Sequence, residues 1–476
     1  MSRLDTEKSG VEEREPLESS AGDSISSSSD DGFRVSTFAS LAVPSFRTYY
    51  IVILGQMAAM NMQMVARSWF VYELTHNITL LGVLALANAV PMLFLSLFGG
   101  VLADNISKKK VLIAGHIASA LVTMMVGFSI VFGSVTWLHL MAASFLQGVV
   151  MSLMMPARQA IIPELVGPRL ITNAVTLNGA AMNLFRLIGP ALAGFLIALW
   201  SIEGVYFVMS VLYMYGAFFL VKLPVSGGVS IKGTGVLSEI GEGVRYIYSN
   251  KAIYSLLVFT LMSFVFSMPY MFLLPAFTDT ILMVEMGKTL SAEGIFLPSY
   301  ISDGLIGFKL SAIGSVPLVG GFFETLSNSA ARQGLLLSVS GIGALIGSYF
   351  IASMPDRNRG KWLLLNILLM AVSLVVFSIT DSFFVALLIF IPLGLGQAGR
   401  MALSNSLAQA YSAPEYRGRV MSIYMLNWGM TSIGIFIVAL IADVIGVQIA
   451  VGTTAALLVL VTGYYMFVSK RIYNLD

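Results

Sequence analysis

The sequence contains no cysteine and only three histidines among its 476 residues. The lack of cysteine excludes disulfides, thiol catalysis and thiolate metal sites, and three scattered histidines exclude a histidine-rich metal site. Charged residues are also scarce, at 11% of the chain, whereas soluble domains carry about 25%. The net charge of +2 gives no indication of a nucleic-acid partner.

Apolar residues are abundant instead, at 57% of the chain, with a mean hydropathy of +0.85. Runs near twenty residues long recur, and each can cross ~30 Å of hydrocarbon as a helix. The sequence therefore predicts an all-α membrane protein embedded in the lipid bilayer. Its twelve predicted spans lie near 48–73, 79–103, 109–132, 136–158, 171–199, 203–222, 251–277, 333–353, 362–380, 383–410, 418–442 and 446–468.

Residues 1–45 differ in composition from the spans that follow. The stretch from Met1 to Phe33 is acidic and includes the serine-rich run SISSSSDDG. Such a segment cannot bury enough apolar surface to fold, so we expect a disordered, passive cytoplasmic tail. A regulatory role for the tail is the alternative. No apolar core of a signal peptide is visible in it, so insertion is expected to begin with the first span.

Lysine and arginine residues cluster in the loops after even-numbered spans, and the short loops after odd-numbered spans contain none. Basic loops favour the cytoplasmic side, so both termini are predicted to be cytoplasmic, in a multi-pass protein of the cell (cytoplasmic or inner) membrane. The basic residues that carry this prediction include Lys108, Lys109, Lys110, Arg169, Lys222, Lys232, Arg245, Arg357, Arg359, Lys361 and Arg417.

A short charged hairpin between two apolar runs occurs twice. It reads FGGVLADNISKKKVL from Phe98 and GSYFIASMPDRNRGKWLLL from Gly347, with matching aspartates about 250 residues apart. Two copies of a six-span unit predict a transporter-like duplication. The predicted parts are a first half at 46–222, a cytoplasmic linker at 223–250, a second half at 251–468 with a long outer loop at about 279–332, and a cytoplasmic tail at 469–476.

Three stretches carry a family resemblance. GVLADNISKKK, from Gly100 to Lys110, resembles the loop between helices two and three of the major facilitator superfamily. PARQAIIPELV from Pro156 and PEYRGRVMS from Pro414 are similar to the drug/proton antiporter branch with macrolide-efflux and enterobactin-exporter proteins. The resemblance implies twelve helices in two pseudo-symmetric six-helix halves that rock around a central site.

The same resemblance implies a conformational latch, in which Asp104 reaches the start of span eleven and holds the halves together on the cytoplasmic side. The alternative is that the neighbouring lysines only set the topology. The residues assigned to the latch are Gly100, Asp104, Lys108, Asp356, Arg417 and Arg419.

The resemblance also implies that spans one, four, seven and ten face the central cavity, and each of these spans carries a polar stripe at helical spacing. Polar groups are costly against lipid, so these stripes are expected to face protein or water. Ordinary hydrogen bonding between helices is the alternative. The predicted pathway residues are Gln56, Met60, Gln63, Arg67, Gln147, Met151, Met154, Ser263, Ser267, Tyr270, Gln397, Arg400 and, in span five, Arg186.

Arg186 lies ~22 Å along its helix and so near the middle of the membrane, and Arg400 lies within span ten. No carboxylate lies at a comparable depth in the sequence, so the pathway is predicted to favour neutral or anionic molecules. Alternatively, Arg186 only ties span five to carbonyl groups of a neighbouring helix.

These observations predict a monomeric secondary transporter that exports amphipathic, drug- or siderophore-like small molecules, with the proton as coupling ion. Nutrient or lipid uptake by the same fold is one alternative, and a non-transporting receptor or scaffold that uses the outer loop is another. No enzymatic activity and no cofactor are predicted, since GLGQAG at Gly394 lies inside a span and GKT at Gly287 lacks the glycine that a phosphate-binding loop needs.

The absence of native cysteine allows a direct test of the topology. Single substitutions Ser107→Cys and Asn358→Cys should react with a membrane-impermeant thiol reagent only from the cytoplasm, and Ser291→Cys only from outside. Labelling of Ser107→Cys in intact cells would contradict the predicted orientation.

Overall fold

The structure, a computed structural model, describes residues 38–105, 107–223, 236–282, 325–354 and 357–475. These residues are almost entirely helical, and no strand occurs among them. Most of the predicted tail and of the long seventh loop, at 1–37 and 283–324, lies outside the described residues, as does Asp356.

The first half consists of six long helices. They are α1 (Pro44–Thr75), α2 (Ile78–Asn105), α3 (Lys108–Val131), α4 (Trp137–Val166), α5 (Ile171–Leu199) and α6 (Ile202–Val221), with short 3₁₀ turns at Ala39–Ala42 and Pro168–Leu170.

A linker helix, α7 (Val236–Ser249), leads to the second half. The seventh span combines α8 (Lys251–Ser267), α9 (Pro269–Ala276) and a π-helical turn at Phe277–Ile281. The remaining helices are α10 (Ser329–Ala352), α11 (Arg359–Ser378), α12 (Phe383–Ala410), α13 (Arg417–Ile445) and α14 (Val447–Gly463), which ends in a π-helical turn at Tyr464–Ser469.

Helices are the necessary solution here, because hydrocarbon offers no partner for backbone N–H and C=O groups. Among the described residues, eleven helical segments are long and apolar enough to cross a membrane. The twelfth is α1, whose 32 residues include several polar side chains and pack mainly against α5 and α6. The predicted number of spans is confirmed.

The two halves repeat one packing pattern. In the first half α2 packs on α4, α3 packs on α4 and α6, and α1 packs on α5 and α6. In the second half α10 packs on α12, α11 packs on α12 and α14, and α8 packs on α13 and α14. Between the halves, α5 packs on α10 and α2 on α13. This is the predicted pseudo-symmetric arrangement of two six-helix halves.

The helical bundle has two ends of opposite charge. One, which we call the basic end, contains the starts of α1, α3, α11 and α13 and the residues Lys108, Lys109, Lys110, Lys222, Arg359, Lys361, Arg417 and Arg419. The other, which we call the acidic end, carries the carboxylates of Glu73, Glu203, Asp279, Asp381 and Asp443 at or beside helix termini.

Three hydrogen bonds between the halves lie toward the acidic end. Trp69 Nε1 in α1 donates a hydrogen bond to Ser329 Oγ in α10 at 2.8 Å. Gln333 donates to Ser68 Oγ at 3.1 Å, and Thr79 Oγ1 donates to the Asp443 carboxylate at 3.2 Å. The bundle is therefore closed at this end.

Two glycines allow α5 and α10 to approach backbone to backbone near the acidic end. A Cβ atom at Gly194 in α5 would overlap the carbonyl oxygen of Ala330, and one at Gly334 in α10 would overlap that of Pro190. Small residues at such crossings let the helices gain close van der Waals contact, which is the main attraction between helices in lipid.

The structure differs from the sequence expectations at three places. Helix α4 continues eight residues past the predicted end, through Pro163, to Val166. Part of the predicted linker forms α7. Arg332, assigned to the outer loop, lies in the first turn of α10 with no exposed surface, because its guanidinium donates to the carbonyl groups of Leu326, Ser327 and Thr278.

Gly194→Ala should disfavour the arrangement that is closed at the acidic end, since the methyl group meets backbone across the two halves. Overpacking of this kind costs about 1–3 kcal/mol, a shift of about 5- to 150-fold in a two-state balance. Thiol labelling of a Gln409→Cys reporter, near the basic end, should therefore slow.

Gly394→Ala is the matched control, because its methyl group would meet Ser340 within the second half. It should lower thermal stability without changing the labelling of the reporter. Unchanged labelling in a well-folded Gly194→Ala protein would show that this crossing does not separate.

Candidate functional site

A cavity of about 670 Å³ lies between the halves on the basic side of the bundle. It extends from Arg359 and Arg417, at the first residues of α11 and α13, to Arg186 and Ala398 near the middle of α5 and α12. Twelve residues separate Ala398 from the end of α12, so the cavity reaches about 18 Å along that helix. Its described lining comprises Asn183, Arg186, Ala344, Ser348, Arg359, Ala398, Met401, Ala402, Asn405, Ser406, Gln409, Ala410 and Arg417.

The lining is electropositive and only partly polar. It includes three arginines, and no carboxylate occurs among the lining residues that the structure describes. Three amide side chains and two serines supply neutral hydrogen-bonding groups, and alanines with one methionine supply apolar surface. Such a surface fits an amphipathic molecule that is neutral or negatively charged.

The three lining arginines differ in the strength of their hydrogen-bond acceptors. Arg359 donates to Ser406 Oγ at 3.3 Å, and Arg417 Nε donates to the Gln409 carbonyl at 3.1 Å. Arg186 crosses from the first half to the second, where its Nη1 lies 3.8 Å from the sulfur of Met401. A thioether is a weak acceptor, so much of the hydrogen-bonding capacity of Arg186 is left for a ligand.

Arg400 lies in α12 beside the cavity lining and has no exposed surface. Its guanidinium carbon is 3.8 Å from the centre of the Phe264 ring, a cation–π contact between α12 and α8. None of its three guanidinium nitrogens has a hydrogen-bond partner within the part of the chain that the structure describes. A buried cation with so few partners is costly in a membrane, about 2.5 kcal/mol or more. Arg400 is next in sequence to Met401 of the lining, so its positive charge lies close to the cavity although its side chain does not line it.

The residues of α12 that line the cavity lie on the helix face adjacent to the one that carries the predicted residues, Gln397 and Arg400. Arg400 is buried against Phe264 of α8, and Gln397 is buried with its amide nitrogen 4.0 Å from the sulfur of Met268, between α8 and α9. The α12 residues of the lining are Ala398, Met401, Ala402, Asn405, Ser406, Gln409 and Ala410.

The predicted pathway residues of α1 and α4 lie outside this lining. Arg67 donates to Ser144 Oγ at 2.7 Å, and Gln147 donates to Ser119 Oγ at 3.3 Å. Met154 is buried against Gly115 of α3. Gln56 and Gln63 are buried, while Met60 and Met151 are partly buried.

Residues of the seventh span are buried as well. Ser263 and Ser267 donate to the carbonyls of Thr260 and Ser263 in their own helix. Tyr270 packs edge-on against Phe390, with ring centres 5.9 Å apart. Of the thirteen predicted pathway residues, Arg186 is the one in the described lining of this cavity.

Three of the residues predicted to form a latch, Lys108, Arg417 and Arg419, have other partners among the described residues. Arg419 pairs with Glu242 of α7 at 2.7 Å, and Lys108 pairs with Glu164. Asp104 and Gly100 lie in α2, and their side-chain environment is outside what the structure describes. The contact between Asp104 and α13 therefore stays a prediction.

The linker helix docks onto the turn before α13. The rings of Tyr246 and Tyr416 stack with centres 4.3 Å apart and planes 2° apart. The Tyr246 hydroxyl also accepts a hydrogen bond from the Ala413 N–H at 3.0 Å. Sequence reasoning missed this interaction, as well as Asn183, Asn405, Ser406 and Gln409. For Asn405, Ser406 and Gln409 the available signal was the polar residues about one turn apart on α12, whereas Asn183 lies on α5.

Comparison with known proteins agrees with the fold. A sequence model of the family described as "Transmembrane secretion effector" matches residues 35–294, and one described as "Major Facilitator Superfamily" matches residues 304–472.

Three similar proteins span nearly the whole chain. The Staphyloferrin A transporter of Staphylococcus aureus is 22% identical over 428 residues, 90% of this chain and 96% of that protein. The multidrug efflux pump Tap of Mycolicibacterium fortuitum is 22% identical over 437 residues, 88% of this chain and 94% of Tap. The crystal structure of the nucleoside transporter NupG superposes with a TM-score of 0.66 at 13% identity, covering 89% of this chain and 98% of NupG.

Docking of α7 should depend more on Tyr246 than on Glu242. The side chain of Glu242 is 58% exposed, and exposed ion pairs contribute only about 0–1 kcal/mol. A stacked ring pair and a hydrogen bond together contribute more, about 1–3 kcal/mol. Tyr246→Ala should speed tryptic cleavage after Arg245 about fivefold or more, with Glu242→Gln as the milder control. Equal effects of the two substitutions would contradict the dominance of the ring stack.

Proposed function

Because the chain belongs to the major facilitator superfamily of membrane transporters, we propose that it is a secondary active exporter of amphipathic small molecules. The molecules are neutral or anionic, and they cross by alternating access of the two halves. The observation that carries this proposal is the arginine-lined cavity between the halves, which has no carboxylate among its described lining residues.

The position of the cavity supports loading from the cytoplasm. It lies on the basic side, whereas the hydrogen bonds from Trp69 and Gln333 close the acidic end. Basic residues favour the cytoplasmic side of a membrane, so this arrangement corresponds to an exporter that is ready to bind its substrate. Both termini would then be cytoplasmic, in the cell membrane.

The charge of the cavity supports the substrate class. Arg186 lines the cavity, and its described hydrogen-bond contact is the weak one to the thioether of Met401. The buried Arg400 adds a second positive charge next to the lining. A carboxylate or phenolate beside Arg186 would gain charge-assisted hydrogen bonds from its guanidinium, which are stronger than neutral ones. A lipophilic cation would meet only repulsion. Efflux of drugs by the similar protein Tap agrees with an amphipathic substrate.

We infer that the proton is the coupling ion and that an end-of-helix carboxylate carries it. In the described spans the carboxylates lie at helix ends and not at the depth of Arg186. Glu73 and Asp104 are candidates, and the structure adds Asp279, whose carboxylate is 3.9 Å from His76 across the two halves. Opening of the acidic end would separate this pair and expose Asp279 to the outer solution.

The test compares a carboxylated amphiphile with its methyl ester in everted vesicles that carry a proton gradient. Arg186→Gln should raise the KM for the acid by about 10- to 150-fold, because a charged hydrogen bond contributes about 1.5–3 kcal/mol. It should change the KM for the ester by less than about threefold, since the ester lacks the charge. Arg400→Gln should act in the same direction.

Arg169→Gln is the control, because Arg169 is exposed and lies outside the cavity lining. Strong transport of a quaternary ammonium dye, unaffected by either cavity substitution, would contradict the substrate class. Substrate accumulation only in right-side-out vesicles would indicate uptake rather than export. No substrate flux in either orientation would favour a non-transporting scaffold.

A further inference from the structure

A second cleft, of about 320 Å³, lies at the basic end, and all of its described lining residues belong to the second half. It is formed by the start of α11 and the segment that follows α14. Its described lining comprises Lys361, Leu365, Met466, Phe467, Lys470 and Tyr473. We propose that this cleft binds the phosphate group of an anionic phospholipid.

The walls of the cleft are held in place by the C-terminal segment. The Gly360 N–H, in the first turn of α11, donates to the Leu475 carbonyl at 2.9 Å. Ile472 and Leu475 are buried against the bundle, with 0% and 6% of their surface exposed. A helix start has free N–H groups, so this hydrogen bond stabilises both α11 and the segment. The cleft is therefore preformed.

The polar side of the cleft is cationic. Lys361 Nζ lies 5.0 Å from the centre of the Tyr473 ring, and Lys470 lies where the chain leaves α14 with a positive φ of 47°. No carboxylate is among the lining residues that the structure describes. Two ammonium groups around a space of this size are suited to a phosphodiester, which accepts hydrogen bonds but donates none.

The other side of the cleft is apolar and continues onto the lipid-facing surface. Phe467 is 75% exposed, Val468 69% and Leu365 43%. In a membrane-spanning protein such side chains contact acyl chains. A phosphate alone would use only the lysines, whereas a phospholipid would use both sides. The combination favours the lipid over the free anion.

The experiment is native mass spectrometry of the full-length protein, stripped of lipid in detergent. Phosphatidylglycerol and phosphatidylcholine with identical acyl chains are added in parallel. We expect phosphatidylglycerol to bind at least about tenfold more tightly, and Lys361→Gln or Lys470→Gln to weaken it about fivefold each. Lys222→Gln is the matched control, since Lys222 also lies over an aromatic ring at the basic end, 4.3 Å from Phe218, but outside the cleft.

Two further measurements distinguish a lipid phosphate from free inorganic phosphate as the ligand of the cleft. Inorganic phosphate at millimolar concentration should not displace the lipid, and Leu365→Trp, which keeps both lysines, should weaken lipid binding by filling the apolar side. Equal binding of the two lipids, or equal weakening by Lys222→Gln, would overturn the proposal. Complete displacement by inorganic phosphate would overturn the assignment to a lipid.

Discussion

Close contact between the backbones of α5 and α10 is the interaction on which the rest of the structure depends. Lipid tails are as apolar as leucine, so helices in a membrane associate through close packing and hydrogen bonds rather than through the hydrophobic effect. Gly194 and Gly334 allow that packing near the acidic end. Because the halves are held together there, they separate toward the basic end, and the cavity lies in that space.

The electrostatics of the cavity reflect a second constraint. Stability alone would favour an apolar residue at position 400, since the guanidinium there is buried with a ring as its described contact. A protein that keeps such a charge accepts a cost in folding for a gain elsewhere. Arg186 carries a smaller cost of the same kind, because its guanidinium reaches from the first half to the second and its described contact there is a weak acceptor, the sulfur of Met401.

The sequence predicts the spans well because length and hydropathy are local properties. It also predicts the duplication, through the paired hairpins, and the depth of Arg186. It does not predict which face of α12 lines the cavity, since adjacent residues differ by about 100° around a helix and both faces are polar. That rotation depends on contacts from other helices: Gly394 lies against Ser340, and Gly399 against Asn366. The burial of Arg332 escaped prediction because its partners are backbone carbonyls, which no residue pattern reveals.

The hydrogen bond from Gly360 to Leu475 links the last described residues to the helix that begins with Arg359, a lining residue of the cavity. A folded domain attached within a residue or two of Leu475 would compete for the space that Ile472 and Leu475 occupy, and would thereby disturb that hydrogen bond and the first turn of α11. A fusion partner at this position is thus expected to change the structure of the cavity wall. A spacer that leaves Ile472 and Leu475 buried would keep a fused reporter mechanically separate from the cavity wall.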